Sequence, residues 1–271
     1  MPLSPEDALR AFHAVRAGGA AAVFGGGRLA DGQDSYQWLA AGLLPGRHQD
    51  VLDLGCGDGL LLALLRERLG AGARLTGLDM CPEELAQAAQ RLVGSGARLI
   101  EARAQDLPLA TASLDAVVSH LALMLMDDVA DVLAQVRRVL RPGGALVAVL
   151  GRGGLDGSEG SFLALLRDLN TDDARRIAWS ADRRIHSSEG IAALLDGWDD
   201  VVIADETLVV PVPVRDLWAF LDSAYYEVGL ASPAVQDQLR RYADTHLAPL
   251  AVGGQVRWRF NLRRVLATAP A

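Results

Sequence analysis

The stretch VLDLGCGDGLL, residues 51–61, decides how this chain is read. It opens as the continuous apolar run of a strand covered on both faces, and it closes on LLLALLRERLG, a helix stopped by Gly70. Gly55, Gly57 and Gly59 stand at alternate positions where strand and helix meet. Glycine tolerates positive φ and lets a ligand approach the backbone, while the following helix offers unpaired N–H groups. Such a turn cradles either a pyrophosphate or a carboxylate-bearing ligand. A dinucleotide turn, G-x-G-x-x-G, needs its third glycine at position 60, which is leucine. Asp53, at the strand end, is poor company for a pyrophosphate and suits a cationic amino group.

Outward from this stretch, strands and helices alternate. ARLTGLDM, ARLIEA, LDAVVSHLA and GALVAVLG read as strands, with PEELAQAAQRLVG and DVADVLAQVRRVL as helices between them. VVIADETLVV is a sixth strand. VRWRFNL is the seventh, with Val256, Trp258, Phe260 and Leu262 facing inward at a period of two. The expected fold is α/β: a doubly wound, mostly parallel seven-stranded sheet with an antiparallel last strand, binding its ligand beyond the strands' carboxyl ends. Ser4-Pro5-Glu6-Asp7 starts an N-terminal helix, and a second runs over 36–44. The chain reads as one domain over 1–271. Residues 1–44 form an N-terminal cap, 45–151 the cofactor-binding core, and 211–254 a late helical insertion serving as a lid.

Composition removes several functions. All 26 basic residues are arginine, so Schiff-base chemistry and Walker-type phosphate loops, which need a lysine amine, are excluded. A net charge of −8 with scattered acids argues against a nucleic-acid partner. Two cysteines, Cys56 and Cys81, make neither a disulfide framework nor a four-ligand zinc site, and no metal is expected. There is no signal-peptide pattern and no long apolar run, so the expectation is a cytoplasmic protein without a membrane partner.

Asp53 with the G-x-G-x-G turn, Asp79 closing the second strand, DLP at 106–108, LDAVV at 114–118 and RVLRPGG at 138–144 follow one another in a fixed order. In this the chain resembles the class I, Rossmann-like S-adenosylmethionine-dependent methyltransferases of the small-molecule type, closely over about residues 50–151. The resemblance implies S-adenosylmethionine as cofactor. Asp53, Gly55, Cys56, Gly57 and Gly59 would hold its methionine moiety, and Asp79 its ribose. Met80 would pack on the adenine, Ala104 with Gln105 and Asp106 would meet the adenine edge, and Ser119 would lie below the sulfonium. Arg103-Ala104 stands where relatives commonly carry Asp-Ala, so Gln105 or Asp106 must replace the usual acceptor for the adenine amine.

The implied activity is in-line displacement of the sulfonium methyl onto a small, fairly apolar metabolite, in secondary metabolism. Many relatives carry a histidine about six residues after the serine; here Met124, Leu125 and Met126 make an apolar wall. His120 is then the ionisable group to consider: a general base, or a hydrogen-bonded lining residue. Tyr225 or Tyr226 faces the sulfonium, or packs between helices. Arg175-Arg176 and Arg183-Arg184 clamp a carboxylate, or lie on a solvated helix face. Two other functions use the same site: an intramolecular cyclase or lyase releasing methylthioadenosine, and a non-catalytic cofactor-binding partner. Monomer and homodimer both remain open.

Overall fold

A computed structural model of the chain describes residues 3–171, 173, 177 and 182–271. The pair Arg175-Arg176 lies outside the described residues. The chain opens with α1 (Pro5–Arg16), α2 (Gly19–Phe24) and α3 (Ser35–Ala40). Next come β1 (Asp50–Leu54), α4 (Leu60–Leu69), β2 (Arg74–Asp79), α5 (Pro82–Arg91) and β3 (Arg98–Glu101). After β4 (Leu114–His120) follow α6 (Val129–Val139), β5 (Leu140–Arg152), α7 (Gly157–Thr171) and α8 (Ser188–Leu194). The rest is β6 (Asp199–Pro213), α9 (Leu217–Ala224), α10 (Tyr226–Gly229), α11 (Pro233–Tyr242) and β7 (Gln255–Thr268).

The seven strands form one sheet in the order β3-β2-β1-β4-β5-β7-β6. β1 lies at the centre, parallel to β2 and β4, with Val51 opposite Leu75 and Ala116. β2 with β3 and β4 with β5 are also parallel, and β7 is antiparallel. This is the doubly wound sheet that the sequence predicts. Every residue of β1 is buried, its two aspartates included, as expected of a strand covered on both faces. The order reverses between β1 and β4, and ligands of such sheets bind beyond the strand ends at that switch.

Two elements differ from expectation. β5 begins at Leu140 and runs through Arg-Pro-Gly-Gly, read from sequence as a helix stop. Its register against β4 shifts between Leu114 and Ala116, and Gly143 takes φ +74°. The irregular segment is pinned by Gly143 N–H donating to Ala269 O and Ala269 N–H donating to Gly144 O. β7 runs on to Thr268, and its burial changes phase: Val256, Trp258, Phe260 and Leu262 are buried, then Arg263, Val265 and Ala267. A one-residue slip of this kind turns an arginine inward. There Arg263 donates to both Asp205 oxygens, at 2.7 and 2.8 Å.

The chain divides into two compact units. One comprises residues 35–152, 181–206 and 262–271, holding α3, β1–β5 and α4–α6. Its core joins Leu52 and Leu54 to Val117, Leu133, Val136 and Leu146. The other comprises residues 1–34, 153–180 and 207–261. There Arg16 makes a two-pronged contact with Asp222, at 2.8 and 3.0 Å, and Trp258 meets the Phe162 ring edge-on at 5.7 Å. At its N-terminus the Ser4 hydroxyl accepts the Asp7 N–H, the cap that the sequence predicts. Among the described residues no helix is long and apolar enough to cross a membrane, and no group of His, Cys, Asp or Glu is arranged to hold a metal.

Candidate functional site

The site is built where β1 ends. Gly55 N–H and Cys56 N–H both donate to Leu78 O, at 2.8 and 3.0 Å, so the turn stays tied to β2 as it leaves the sheet. At Gly55, φ is +74°, and a Cβ there would lie 2.5 Å from the Ala122 methyl. At Gly59, φ is +77°, and a Cβ would press on Ala88 and Leu92 of α5 at 3.0–3.3 Å. Both positions are closed to a side chain by conformation and by space. Gly59 N–H then donates to Cys56 O at 3.0 Å, closing the turn as the chain enters α4.

Asp53 sits below this turn, 1% exposed, and neither of its carboxylate oxygens has a hydrogen-bond partner. Burial holds its pKa well above the ordinary carboxylate value, and the charges of Asp79 and Asp58 push it in the same direction. A buried, unpartnered carboxylate is costly unless a donor or a cation completes it. Asp79 is half-buried, and its oxygens take backbone donors: Oδ2 accepts Gly57 N–H and Oδ1 accepts Cys81 N–H, each at 2.9 Å. It therefore ties the glycine turn to the start of α5. Cys56 is buried, and burial with the nearby carboxylates raises its thiol pKa, so it packs as an inert thiol.

The adenine-side residues are arranged unevenly. Met80 is half-buried beside Asp79. Ala104 packs into the core with Leu54, Leu78 and Leu107. Gln105 donates its amide to Asp127 O at 2.7 Å, tying the segment after β3 to the loop after β4. Asp106 is exposed.

Both candidate residues at the end of β4 have partners inside the protein. Ser119 is 1% exposed, and its hydroxyl donates to Leu54 O at 2.9 Å, so it staples β4 to β1. His120 is 9% exposed, with Nε2 2.9 Å from Ser35 Oγ and its ring stacked on Tyr36 at 3.8 Å. Burial lowers its pKa to about 3. Burial thus favours the neutral imidazole, whereas a general base works best with a pKa near the working pH.

Tyr225 and Tyr226 belong to the other unit. The Tyr225 hydroxyl accepts Trp258 Nε1–H at 3.0 Å, and burial raises its pKa, so the phenol stays protonated. The Tyr226 ring meets Phe12 edge-on at 4.6 Å, with its hydroxyl 3.3 Å from His13 Nε2. Both rings pack within that unit's aromatic cluster. Arg184 pairs with Asp182 through its side chain. Residues not anticipated include Ser35 and Tyr36, which seal His120, and Met126, whose terminal methyl lies 3.5 Å from a Cβ built on Gly55. Arg91 is another: it reaches Asp58 at the tip of the turn. None of these carries a local sequence signal.

Residues 52–148 match the methyltransferase-domain family. An uncharacterized methyltransferase of Mycobacterium tuberculosis is 35% identical over 114 residues, which are 42% of this chain and 56% of that protein. A malonyl-[acyl-carrier protein] O-methyltransferase of Enterobacter lignolyticus is 35% identical over 108 residues, 40% of this chain and 41% of that protein. The chain thus spans about half the length of the curated relatives it matches. Among solved structures, phosphoethanolamine N-methyltransferase 2 of Haemonchus contortus, in complex with phosphomonomethylethanolamine and S-adenosylhomocysteine, superposes with a TM-score of 0.61. It is 16% identical, over 99% of this chain and 61% of that one. The family match is confined to residues 52–148, about a third of the chain, and the sheet that holds them has the Rossmann-like α/β fold of the methyltransferase structures it superposes on.

Proposed function

We propose that the protein binds S-adenosylmethionine at the turn Asp53–Gly59 and transfers its methyl group to a small, fairly apolar acceptor. The observation that carries this reading is the partnerless buried carboxylate of Asp53 beneath a glycine turn closed to any Cβ. The cofactor's amino acid tail bears an ammonium that supplies the missing donor and a carboxylate that suits the positive N-terminal end of α4. Asp79 closes β2 beside the same turn, where a carboxylate can accept both hydroxyls of a ribose. Met80 offers a polarisable thioether to the adenine face. The Gln105 amide nitrogen is already donated, which leaves its carbonyl oxygen for the adenine amine.

When bound, the cofactor supplies an electrophilic methyl group on a good leaving group, so the protein's main contributions are alignment and exclusion of water. The end of β4 fits that division. Ser119 and His120 are engaged internally, and the loop beyond presents Ala122, Met124, Leu125 and Met126. This loop is held by Met124, whose sulfur accepts Gly151 N–H at 3.3 Å. An apolar wall supports an apolar acceptor. A cytoplasmic setting in secondary metabolism is part of the same proposal.

The test is calorimetric titration of the wild type and Asp53→Asn with three ligands. S-adenosylmethionine and S-adenosylhomocysteine share the ammonium tail, and methylthioadenosine lacks it. A buried charge-assisted hydrogen bond contributes about 1.5–3 kcal/mol, so the first two should weaken about 10- to 150-fold in the variant. Methylthioadenosine should bind both proteins equally. Equal losses for all three ligands, or none for any, would refute the assignment.

A further inference from the structure

The tip of the glycine turn is gripped from outside the site. Asp58, between Gly57 and Gly59, is 6% exposed. Arg91, the last residue of α5, donates through Nε to Asp58 O at 3.0 Å and through Nη2 to Asp58 Oδ2. The other carboxylate oxygen accepts Leu60 N–H at 3.2 Å, at the first turn of α4. One planar guanidinium therefore holds the backbone and the side chain of a single residue, flanked by two glycines with positive φ (+51° and +77°). The surroundings are rich in acid: Asp53 and Asp79 lie beside the same turn, and the Glu84 carboxylate is buried against Gly57.

We propose that Arg91 is a positioning residue for the cofactor turn, fixing the Gly57–Gly59 backbone where it enters α4 and cancelling the Asp58 charge that would otherwise oppose a bound cofactor's carboxylate. The proposal rests on the S-adenosylmethionine reading and goes beyond it, because Arg91 lies outside the methionine-binding segment. Neither half of the grip is replaceable by lysine. An ammonium keeps the charge but is a compact point donor that lacks the fork reaching both acceptors.

The test is calorimetric affinity for S-adenosylhomocysteine, with far-ultraviolet circular dichroism as the check on folding. Arg91→Gln should weaken binding about tenfold, and Arg91→Lys about threefold. Adding Asp58→Asn to Arg91→Gln removes the uncompensated charge and should restore binding to within about threefold of the wild type. A merely structural role for Arg91 would show no such rescue. If Arg91→Gln fails to fold, Arg91→Met and Asp58→Asn/Arg91→Met, which likewise remove the positive charge, are read in its place. Wild-type-like binding by the single variant, or a double variant no better than the single, overturns the proposal. A wild type that does not bind S-adenosylhomocysteine removes the function reading and this proposal with it. A wild type that binds, with Arg91 variants unchanged, removes only this proposal.

Discussion

Gly55→Ala is the most demanding test of the site's geometry. A Cβ at residue 55 falls 2.5 Å from the Ala122 methyl, well inside any real carbon–carbon contact, and φ is +74°. The left-handed conformation costs a non-glycine residue about 1–2 kcal/mol. Forcing a methyl group into filled space adds about 1–3 kcal/mol. The sum is about 2–5 kcal/mol of global stability, readable as a lower urea midpoint at unchanged m-value. The two contributions separate in a double-mutant cycle. Ala122→Gly relieves the clash and leaves the backbone strain, so the pair should show a favourable coupling of about 1–3 kcal/mol. A Gly55→Ala protein as stable as the wild type, or a destabilised one with no coupling to Ala122, would refute the packing of the post-β4 loop against the turn.

Three further outcomes follow from the same contacts. Asp53 has a folded-state pKa raised by burial, so the native state holds a proton that the unfolded chain has released. Wild-type stability without cofactor should therefore fall, by up to about 1.4 kcal/mol per pH unit, as pH rises from the ordinary carboxylate range toward the raised value; Asp53→Asn should lack that slope, and equal slopes in denaturant titrations across pH would contradict it. His120→Asn should lose the Ser35 contact and the Tyr36 stack, costing about 1–3 kcal/mol, while the pH profile of methyl transfer between pH 6 and 9 keeps its shape. The loss of a limb from that profile would reinstate His120 as a base. Asp205→Ala leaves the buried Arg263 without its paired carboxylate and should lower stability by about 1–3 kcal/mol in thermal melts, whereas an unchanged midpoint would show the pair to be immaterial.

What could be read from sequence was local. The strand, the turn and the helix of residues 51–69 are specified by neighbours in the chain, and so are the alternation of Val256 to Leu262 and the Ser4 cap. What escaped depends on contacts between distant residues. The Ser119 hydroxyl meets a carbonyl 65 residues away, His120 meets Ser35 at a separation of 85, and Arg91 meets Asp58 at 33. A histidine at a strand end looks like a base until a helix is known to seal it. The phase change in β7 was equally hidden, because an arginine at position 263 reads as an outward residue until Asp205 is placed beside it. Ala122 and Met126 read as an apolar wall, but nothing local says that they lie over Gly55.

The most direct measurement is a crystal structure with S-adenosylhomocysteine bound. The expected result is the ligand's amino nitrogen within hydrogen-bond distance of an Asp53 oxygen, its carboxylate on the Gly55–Gly59 backbone and its ribose hydroxyls at Asp79. Well-occupied ligand elsewhere, with both Asp53 oxygens still lacking a partner, would contradict the claim that this turn is a cofactor cradle.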